Sequence, residues 1–335
     1  MHQIRAVTLS GYVEVATFVG LDGKRMLRDA GVSWQALEDP ENRLPATTVI
    51  GLLEDSAARS GCDSFGLLMA ETRSFASIGP LSLLLERLPN LREAVRTAIE
   101  FQRHLNDIVA LSLEEAGETC LIRLDLVPGH GAVQALDLSI GYAYRVLAAA
   151  SGNRWRPASV HLTHPAPADI APWRRFFAAP IEFESSFNGF STSRDALLAP
   201  NPRADPAMAG NARRLLELVP LEPMPASVSE RVRRSITVLL PSGRANVDVV
   251  ATTMGVSRRS LQRSLREEGH RFGELLDLVR RELATAHLAH SSQPITSVSA
   301  MLGYGSPSSF TRWFAGAFGT SPNAWRESHK AGRRL

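Results

Sequence analysis

The sequence has few cysteines and no long apolar run. Only two of its 335 residues are cysteine, Cys62 and Cys120, and no CxxC spacing is present, so we expect buried free thiols and not a disulfide framework. No stretch approaches the roughly 18 consecutive apolar residues of a membrane-spanning helix, and the N-terminus lacks the apolar run of a signal peptide. We therefore expect a cytoplasmic protein with no membrane partner.

Motifs of the common enzyme classes are also missing. The chain has no Gly-x-Ser-x-Gly, Gly-x-x-x-x-Gly-Lys or His-Glu-x-x-His pattern. His161 and His164 are three residues apart, but residues at that spacing on a strand point to opposite faces. We expect no catalytic residue, no cofactor and no metal site.

Charge is distributed unevenly along the chain. Hydrophobic residues make up 44% of the 335 residues, which is enough for packed cores and corresponds to about two domains. From Gly243 onward there are thirteen Arg and Lys but seven Asp and Glu, whereas the remainder carries an acidic excess. A basic C-terminal third on a mildly acidic body is typical of a nucleic-acid-binding module joined to another domain.

A helix-turn-helix pattern occupies about 247–267. The apolar residues of its short first helix recur at i, i+3, i+4 and i+7: Val247, Val250, Ala251 and Met254. Asn246 can cap this helix, and Gly255 can end it in a left-handed conformation. Ser257 can cap a second helix, which has two leucines on one side and a basic face on the other. This order of elements is typical of a major-groove reader.

The same pattern returns at about 295–318. Its apolar and turn positions are Val298, Met301, Leu302, Gly303, Phe310, Phe314 and Phe318. When the turn glycines are aligned, Gln262 matches Thr311, and the second turn has one extra residue. Arg263 likewise matches Arg312. Two units with equivalent polar positions are much stronger evidence than one, because many helical hairpins resemble a single unit.

One long helix is predicted between the two units, running from about Phe272 to His290. Its apolar stripe consists of Phe272, Leu275, Leu276, Val279, Leu283 and Ala286. Such a helix spans roughly 27 Å, comparable with the roughly 34 Å between successive major-groove faces of B-DNA. We therefore expect two recognition helices in adjacent major grooves on one side of double-stranded promoter DNA.

The exposed faces of the two recognition helices supply the expected DNA contacts. The base-reading candidates are Arg259, Gln262, Arg263, Ser308, Thr311 and Arg312. Side chains at such positions reach base edges, and arginine pairs bidentately with guanine. Arg258, Arg266 and Arg271 are expected to contact phosphates.

The second unit and the residues after it also match a family pattern. The matching residues are Ile295, Val298, Met301, Leu302, Gly303, Tyr304, Ser308, Phe310, Arg312, Phe314, Phe318, Gly319, Ser321, Pro322, Trp325 and Arg326. About a hundred C-terminal residues thus resemble the DNA-binding domain of the AraC/XylS family of bacterial transcription regulators. Ser299 replaces the usual alanine, and Pro307 begins the second recognition helix, where proline is tolerated. The resemblance implies a homodimer that also contacts RNA polymerase.

The first 198 residues predict an α+β domain. Helical periodicity marks 133–150, among other segments, and a hairpin signal joins strands at 108–113 and 119–127. Asn188-Gly189 predicts a second, tight hairpin between 181–187 and 190–193. The predicted fold class is an α+β sensing domain followed by an all-α domain with two helix-turn-helix motifs.

A proline-punctuated linker is predicted at 199–226, with a short helix at 211–219 inside it. It separates a sensing domain at 1–198, which we also expect to dimerise, from a DNA-binding domain at 227–335.

The N-terminal domain carries a looser resemblance of its own. It rests on segments 44–45, 65–67, 91–94, 160–165 and 176–183. These segments resemble the arabinose-binding-type sensing domain of an AraC subfamily that includes regulators of ornithine catabolism and virulence. The resemblance implies a small-molecule metabolite as effector. Candidate pocket residues, each bringing a polar group into an apolar region, are Arg103, His104, Tyr142, Tyr144, Trp155, His161 and Trp173.

The pattern as a whole predicts an effector-responsive transcription regulator, most simply an activator of nearby metabolic genes. One alternative is an enzyme-like N-terminal domain with an appended DNA-binding module, which turnover of a bound ligand would reveal. The other is an effector-independent DNA-binding protein, whose affinity would rest on phosphate contacts and fall steeply with salt.

Overall fold

The computed structural model describes residues 2–102, 108–126, 132–218, 227–241, 243–290 and 293–332. It contains an N-terminal α+β domain and a C-terminal helical domain, each with its own apolar core, so the predicted fold class is confirmed. In the described part of the chain, no helix combines the length and apolar character needed to cross a lipid bilayer.

Helix α8 lies at the centre of the N-terminal domain. The helices there are α1 (Tyr12–Phe18), α2 (Gly23–Asp29), α3 (Gln35–Glu38), α4 (Ala46–Ser60), α5 (Phe65–Thr72), α6 (Leu81–Leu85), α7 (Leu91–Glu100), α8 (Val133–Ala150), α9 (Ala171–Phe177), α10 (Arg194–Leu198) and α11 (Pro206–Leu218). The predicted helix 133–150 is confirmed as α8, which packs against α4, α5, α7 and α9. Most of its residues are buried, because neighbours cover it on several sides.

Five strands form the main sheet beside α8. The strands of the domain are β1 (Gln3–Arg5), β2 (Arg43–Pro45), β3 (Val109–Ala116), β4 (Thr119–Leu126), β5 (Ser159–His161), β6 (Ile181–Glu182) and β7 (Gly189–Ser193). β1 pairs with β2, and the main sheet has the order β3-β4-β7-β5-β6, antiparallel except for β5 with β6. The predicted hairpin at 108–127 is confirmed, since β3 pairs with β4 along its whole length.

The second predicted hairpin is wrong. β6 and β7 are not neighbours, because β5 lies between them and pairs with both. The Asn188 side chain is used for long-range contacts and does not form a two-residue turn. Its Oδ1 accepts a hydrogen bond from the backbone N–H of Thr163 at 2.7 Å, and its Nδ2 donates to Asp125 at 3.3 Å.

The predicted linker contains a longer helix than expected. α11 begins at Pro206 and not at residue 211, and Ala212 and Leu216 are buried in the N-terminal core. Proline is tolerated at the first helical position, and Asp205 accepts hydrogen bonds from the next two backbone N–H groups. The predicted linker as far as Leu218 therefore packs on the N-terminal domain.

Seven helices are described in the C-terminal domain. They are α12 (Val228–Leu239), α13 (Val247–Thr253), α14 (Arg258–Glu267), α15 (Phe272–His290), α16 (Ile295–Met301), α17 (Pro307–Phe318) and α18 (Pro322–Gly332). The long helix α15 confirms the predicted bounds. Its first half buries Leu275 and Val279 as expected, but its second half buries Ala284 and Leu288 fully. The buried face of α15 changes along its length because the helix packs against several elements, α12, α16 and α18 among them.

Asp277 of α15 holds the second helix-turn-helix unit in place. Its carboxylate accepts hydrogen bonds from Trp313 Nε1 and from Arg281 Nε, both at 2.6 Å. Arg281 Nη1 also donates to the Ala317 carbonyl at 3.0 Å. Burial alone would raise the pKa of Asp277, but the bonds from Arg281 and Trp313 outweigh it and hold the pKa below its usual range.

The two domains meet through α12 and through the segment before α16. α12 contacts β3 and β4. The Glu268 carboxylate, just after α14, accepts hydrogen bonds from the backbone N–H groups of Val228 and Ser229 and so caps α12. The Gln293 side chain donates to the carbonyl oxygens of Glu184 and Ser185. Both helix-turn-helix units are therefore connected to the N-terminal domain by specific contacts.

The two turn glycines should differ in their tolerance of a side chain. Gly255 and Gly303 have φ values of +67° and +69°, so alanine at either position should cost about 1 kcal/mol of backbone strain. A Cβ at Gly303 would also lie 2.9 Å from the Leu240 carbonyl oxygen, whereas none of the described atoms lies within 4 Å at Gly255. We expect Gly303→Ala to lower the unfolding free energy by roughly 1 kcal/mol more than Gly255→Ala, measured by denaturant unfolding. Equal losses would contradict this.

Replacing Asp277 should reveal the stabilising contribution of its charge. Asp277→Asn keeps the shape but weakens the bonds from Arg281 and Trp313, so we expect a loss of about 0.5–1 kcal/mol at pH 7 for this partly exposed group. A depressed folded-state pKa contributes stability above the unfolded pKa and loses it as pH falls through the folded value. The difference in Tm between the two proteins should therefore shrink below about pH 4. A constant difference from pH 7 to pH 3 would assign the effect to shape alone.

Candidate DNA interface and effector cavity

The first helix-turn-helix unit consists of α13, a turn and α14. Asn246 caps α13 by accepting hydrogen bonds from two backbone N–H groups at 3.0 and 3.1 Å. Ser257 caps α14 by accepting one from Ser260 at 3.1 Å. Both predicted caps are confirmed. Leu261 and Leu265 are buried, so they hold α14 on the core while its opposite face remains in solvent.

The second unit repeats this construction with α16, a turn and α17. Ser306 caps α17 by accepting a hydrogen bond from the backbone N–H of Ser309 at 3.2 Å. Pro307 stands at the first helical position, where the missing N–H costs no intrahelical bond. Phe310 and Phe314 are buried at the positions that match the two leucines of α14.

Residues matched between the two units also match in exposure. Gln262 and Thr311 are half-buried, whereas Arg263 and Arg312 are exposed. Arg259 and Ser308, which precede them by the same spacing, are exposed as well. All six base-reading candidates thus lie on the outer sides of α14 and α17, three on each helix.

The phosphate candidates border this outer face. Arg258 is exposed and pairs with Asp248 of α13 at 3.2 Å. Arg266 is exposed on the last turn of α14, and Arg271 is exposed immediately before α15. Arg263 lies 3.8 Å from Glu267 on the same helix, with both side chains exposed. Such exposed ion pairs are weak, so they leave these arginines available for a polyanion.

A cavity lies inside the N-terminal domain between α8, the 3-10 segment after Arg73, and the β3–β4 hairpin. Its lining residues are Arg5, Thr8, Arg73, Ser77, Ile78, Leu85, Ala98, Val109, Leu111, Leu124, Ser139, Tyr142, Ala143, Val146 and Leu147. It contains about 100 Å³ of free volume. Most of its wall is aliphatic, and its polar groups belong to Arg5, Thr8, Arg73, Ser77, Ser139 and Tyr142, the pattern of a small-molecule site.

Two buried arginines contribute the charge of this cavity. Arg73 is 8% exposed and stacks over the Tyr142 ring, with 3.6 Å from guanidinium carbon to ring centroid. Arg5 is 4% exposed and pairs with Glu41. Burial lowers the pKa of Arg73 to about 10, so the group is still charged at neutral pH. The Nε atoms of both arginines are buried without a hydrogen-bond partner among the described residues.

Tyr142 is the one described candidate from the sequence that lines this cavity. Its hydroxyl donates to the Ser74 carbonyl at 3.1 Å. Arg103 and His104 lie outside the described residues. The sequence did not single out Arg5 or Arg73, because an isolated arginine near a strand or helix end carries no signal of burial.

The remaining candidates lie elsewhere in the domain. Tyr144 packs among aromatic rings, including that of Trp155, and the Trp155 Nε1 donates to Thr192 at 3.1 Å. His161 stacks on Phe187 with ring centroids 4.4 Å apart. Trp173 is buried and contacts the Phe183 ring. None of these four residues, Tyr144, Trp155, His161 and Trp173, lines the cavity.

Comparisons with known proteins agree with this architecture. The family model for the arabinose-binding N-terminal domain of AraC transcription regulators matches residues 20–201, and a helix-turn-helix domain model matches residues 250–328. The transcriptional regulator VirS of Mycobacterium tuberculosis is 24% identical over 327 residues, which cover 96% of each chain. The ornithine utilization regulator of Pseudomonas aeruginosa is 25% identical over 312 residues, which cover 92% of each chain.

Among solved structures, the transcriptional regulator CdpR of Pseudomonas aeruginosa covers 91% of this chain and 96% of its own, with a TM-score of 0.43 and 21% identity. The sensing-domain model alone spans more than half of the chain, and the helix-turn-helix model matches a separate C-terminal segment. The chain belongs to the AraC family and is a DNA-binding transcription regulator with a ligand-binding N-terminal domain.

Proposed function

We propose that this regulator binds promoter DNA with α14 and α17 in successive major grooves on one side of the duplex. The observation that carries the proposal is the repeated outer face, in which matched residues of α14 and α17 share the same exposure. The 19 residues of α15 between the units correspond to roughly 27 Å, and successive groove faces are roughly 34 Å apart.

Each side chain on this face has a proposed role. Arg259, Gln262 and Arg263 read bases in the first groove, and the second groove is read by Ser308, Thr311 and Arg312. Arg258, Arg266 and Arg271 border these helices and position the phosphates. Within the described residues, Arg259 and Arg312 have no carboxylate partner at ion-pair distance, so DNA does not have to displace one.

Effector binding then controls DNA binding or transcription across the domain junction. We assign sensing to 1–198, the connection to 199–226 and DNA binding to 227–335. The contact of α12 with β3 and β4, and the bond of Gln293 to the loop after β6, support a physical link between the halves. The proposed regulator acts in the cytoplasm as an activator of nearby metabolic genes, contacts RNA polymerase and carries out no chemistry of its own.

Arginine variants test the division between base readers and phosphate contacts. We expect Arg263→Ala or Arg312→Ala to weaken binding to the protein's own upstream DNA by about 1–3 kcal/mol and to relax preference at one base pair. Arg258→Ala should weaken binding to all sequences about equally and lower the salt dependence. Fluorescence anisotropy at several salt concentrations, with a library of single base-pair changes, measures both effects.

Arg175→Ala serves as the control, because Arg175 is an exposed arginine of the N-terminal domain and its loss should leave DNA binding unchanged. If Arg263→Ala lowered affinity for every sequence equally, Arg263 would be a phosphate contact. If the wild-type protein showed no preference for its upstream DNA over random DNA, the groove-reading proposal would fail.

We further propose that the protein dimerises through the outer side of α11. Met208, Leu215 and Leu218 are 51%, 57% and 76% exposed, and with Asn211 they follow the i, i+3, i+7, i+10 spacing of a coiled-coil seam. Exposed apolar stripes of this kind mark protein interaction sites. A second copy of α11 is the partner that such a seam fits, with Asn211 selecting the register.

A charge in this stripe should dissociate the dimer. Leu215→Glu places a carboxylate in the apolar seam, so we expect a monomer at micromolar concentration where the wild type is a dimer. Sedimentation equilibrium gives the mass of each. Phe18→Glu is the matched control, since Phe18 is 80% exposed on α1 and lies outside α11. A Leu215→Glu protein that remained dimeric would exclude α11 as the dimer surface.

A further inference from the structure

The Arg73 guanidinium is a buried charge without a counter-ion among the described residues of the N-terminal domain. It is 8% exposed, and within the described residues its Nε has no hydrogen-bond partner and the group forms no salt bridge with a carboxylate. Its close partner in the described part of the chain is the face of the Tyr142 ring. Buried charges in proteins are ordinarily paired or hydrogen-bonded. An arginine left in this state is poised for a ligand that supplies the missing negative charge.

Arg5 places a second guanidinium beside the same space. It lines the cavity with Arg73 and is 4% exposed. Glu41 pairs with one of its terminal nitrogens, while its Nε is unsatisfied. Among the described residues, two arginines and one glutamate leave one positive charge uncompensated. The cavity is therefore matched electrostatically to a single negative charge.

The aliphatic part of the cavity wall favours a ligand with an apolar group. Its aliphatic lining residues are Ile78, Leu85, Ala98, Val109, Leu111, Leu124, Ala143, Val146 and Leu147. The free volume is about 100 Å³. This is small beside the roughly 300–1,000 Å³ of pockets for drug-sized ligands, so the cavity suits a small molecule.

We propose that the effector of this regulator is a small organic monocarboxylate whose carboxylate binds Arg73 and Arg5 and whose apolar body fills the aliphatic part of the cavity. Arginine binds carboxylates through two parallel hydrogen bonds, and the hydroxyl of Ser77, which lines the same cavity, is a further donor. A cationic amine would face like charge, and a doubly charged phosphate would bring one charge more than the cavity compensates. The inference rests on the proposed effector-dependent function.

The cavity borders the two strands that contact the DNA-binding domain. Val109 and Leu111 of β3 and Leu124 of β4 form part of its wall. β3 and β4 are also the strands that α12 contacts. A ligand that packs against this hairpin therefore acts one layer away from the first helix of the DNA-binding domain.

Calorimetric titration of the full-length protein tests the ligand class. The probes are hexanoate and benzoate, each compared with its uncharged amide and with hexylamine or benzylamine. These acids have only eight and nine non-hydrogen atoms, a size chosen for a small cavity. We expect at least one of the two acids to bind. An acid that binds should do so at least tenfold more tightly than its amide, and the amines should not bind.

Arg73→Met supplies a readout that a purely structural arginine would not give. Removing an unpaired buried charge should leave the Tm of the ligand-free protein unchanged or higher, while affinity for the acid falls at least tenfold. Arg175→Met, at an exposed site of the same domain, should keep both the Tm and the affinity. Ala143→Leu, which fills part of the cavity, should weaken the binding of acid without changing the charge.

Several outcomes would overturn the assignment. They are equal affinity for acid and amide, no binding of either acid, unchanged acid affinity of Arg73→Met, or a large loss of Tm in ligand-free Arg73→Met. Binding to upstream DNA is measured in the same samples. Specific DNA binding without acid binding would remove the carboxylate assignment and leave the regulator intact. Acid binding that changes neither DNA affinity nor transcription would instead remove the effector-dependent function.

Discussion

The arrangement of the DNA-binding domain depends on how rigidly α15 is held between two helix-turn-helix units. One duplex repeats at a fixed distance, so two recognition helices can bind adjacent grooves only if their separation and orientation are also fixed. Buried leucine, valine and alanine side chains of α15 pack into a core shared with both units. Asp277 adds directional bonds to Trp313 and Arg281, and Arg280 donates to the Leu302 carbonyl at the end of α16. Apolar burial supplies the stability, and these polar contacts supply the orientation.

In the N-terminal domain, the β3–β4 hairpin lies between the cavity and the DNA-binding domain. One part of it lines the cavity, and the same strands contact α12. Glu268, directly after the first recognition helix, caps the N-terminus of α12. This charge-assisted contact links α12 directly to the end of α14, in addition to the chain between them. Gln293 offers a separate contact to the second unit. The proposed coupling between effector and DNA requires contacts of this kind, because two domains can influence each other only through differential contacts.

The cavity arginines illustrate why sensing and stability oppose each other. A core made only of aliphatic residues would be more stable than one that buries Arg73 without a counter-ion. A domain that is well packed around α8 tolerates this local cost, and the unsatisfied charge becomes a source of ligand affinity and selectivity. The Tyr142 ring reduces the cost by facing the guanidinium. The ligand would therefore complete the interior of the domain, a direct way for occupancy to change its structure.

The sequence by itself determined the elements whose cause is local. The caps at Asn246 and Ser257, the bounds of α15 and the exposure of the arginine-bearing helix faces all follow from spacing and residue type within a few turns. Only the tertiary structure decided what depends on distant partners. Asn188 looked like a turn residue, but it bonds to Thr163 and Asp125 on other segments, so β5 separates the strands of the expected hairpin. Arg73 became a site residue because folding buries it without a carboxylate, and no local pattern reports which charges a remote part of the chain leaves unpaired.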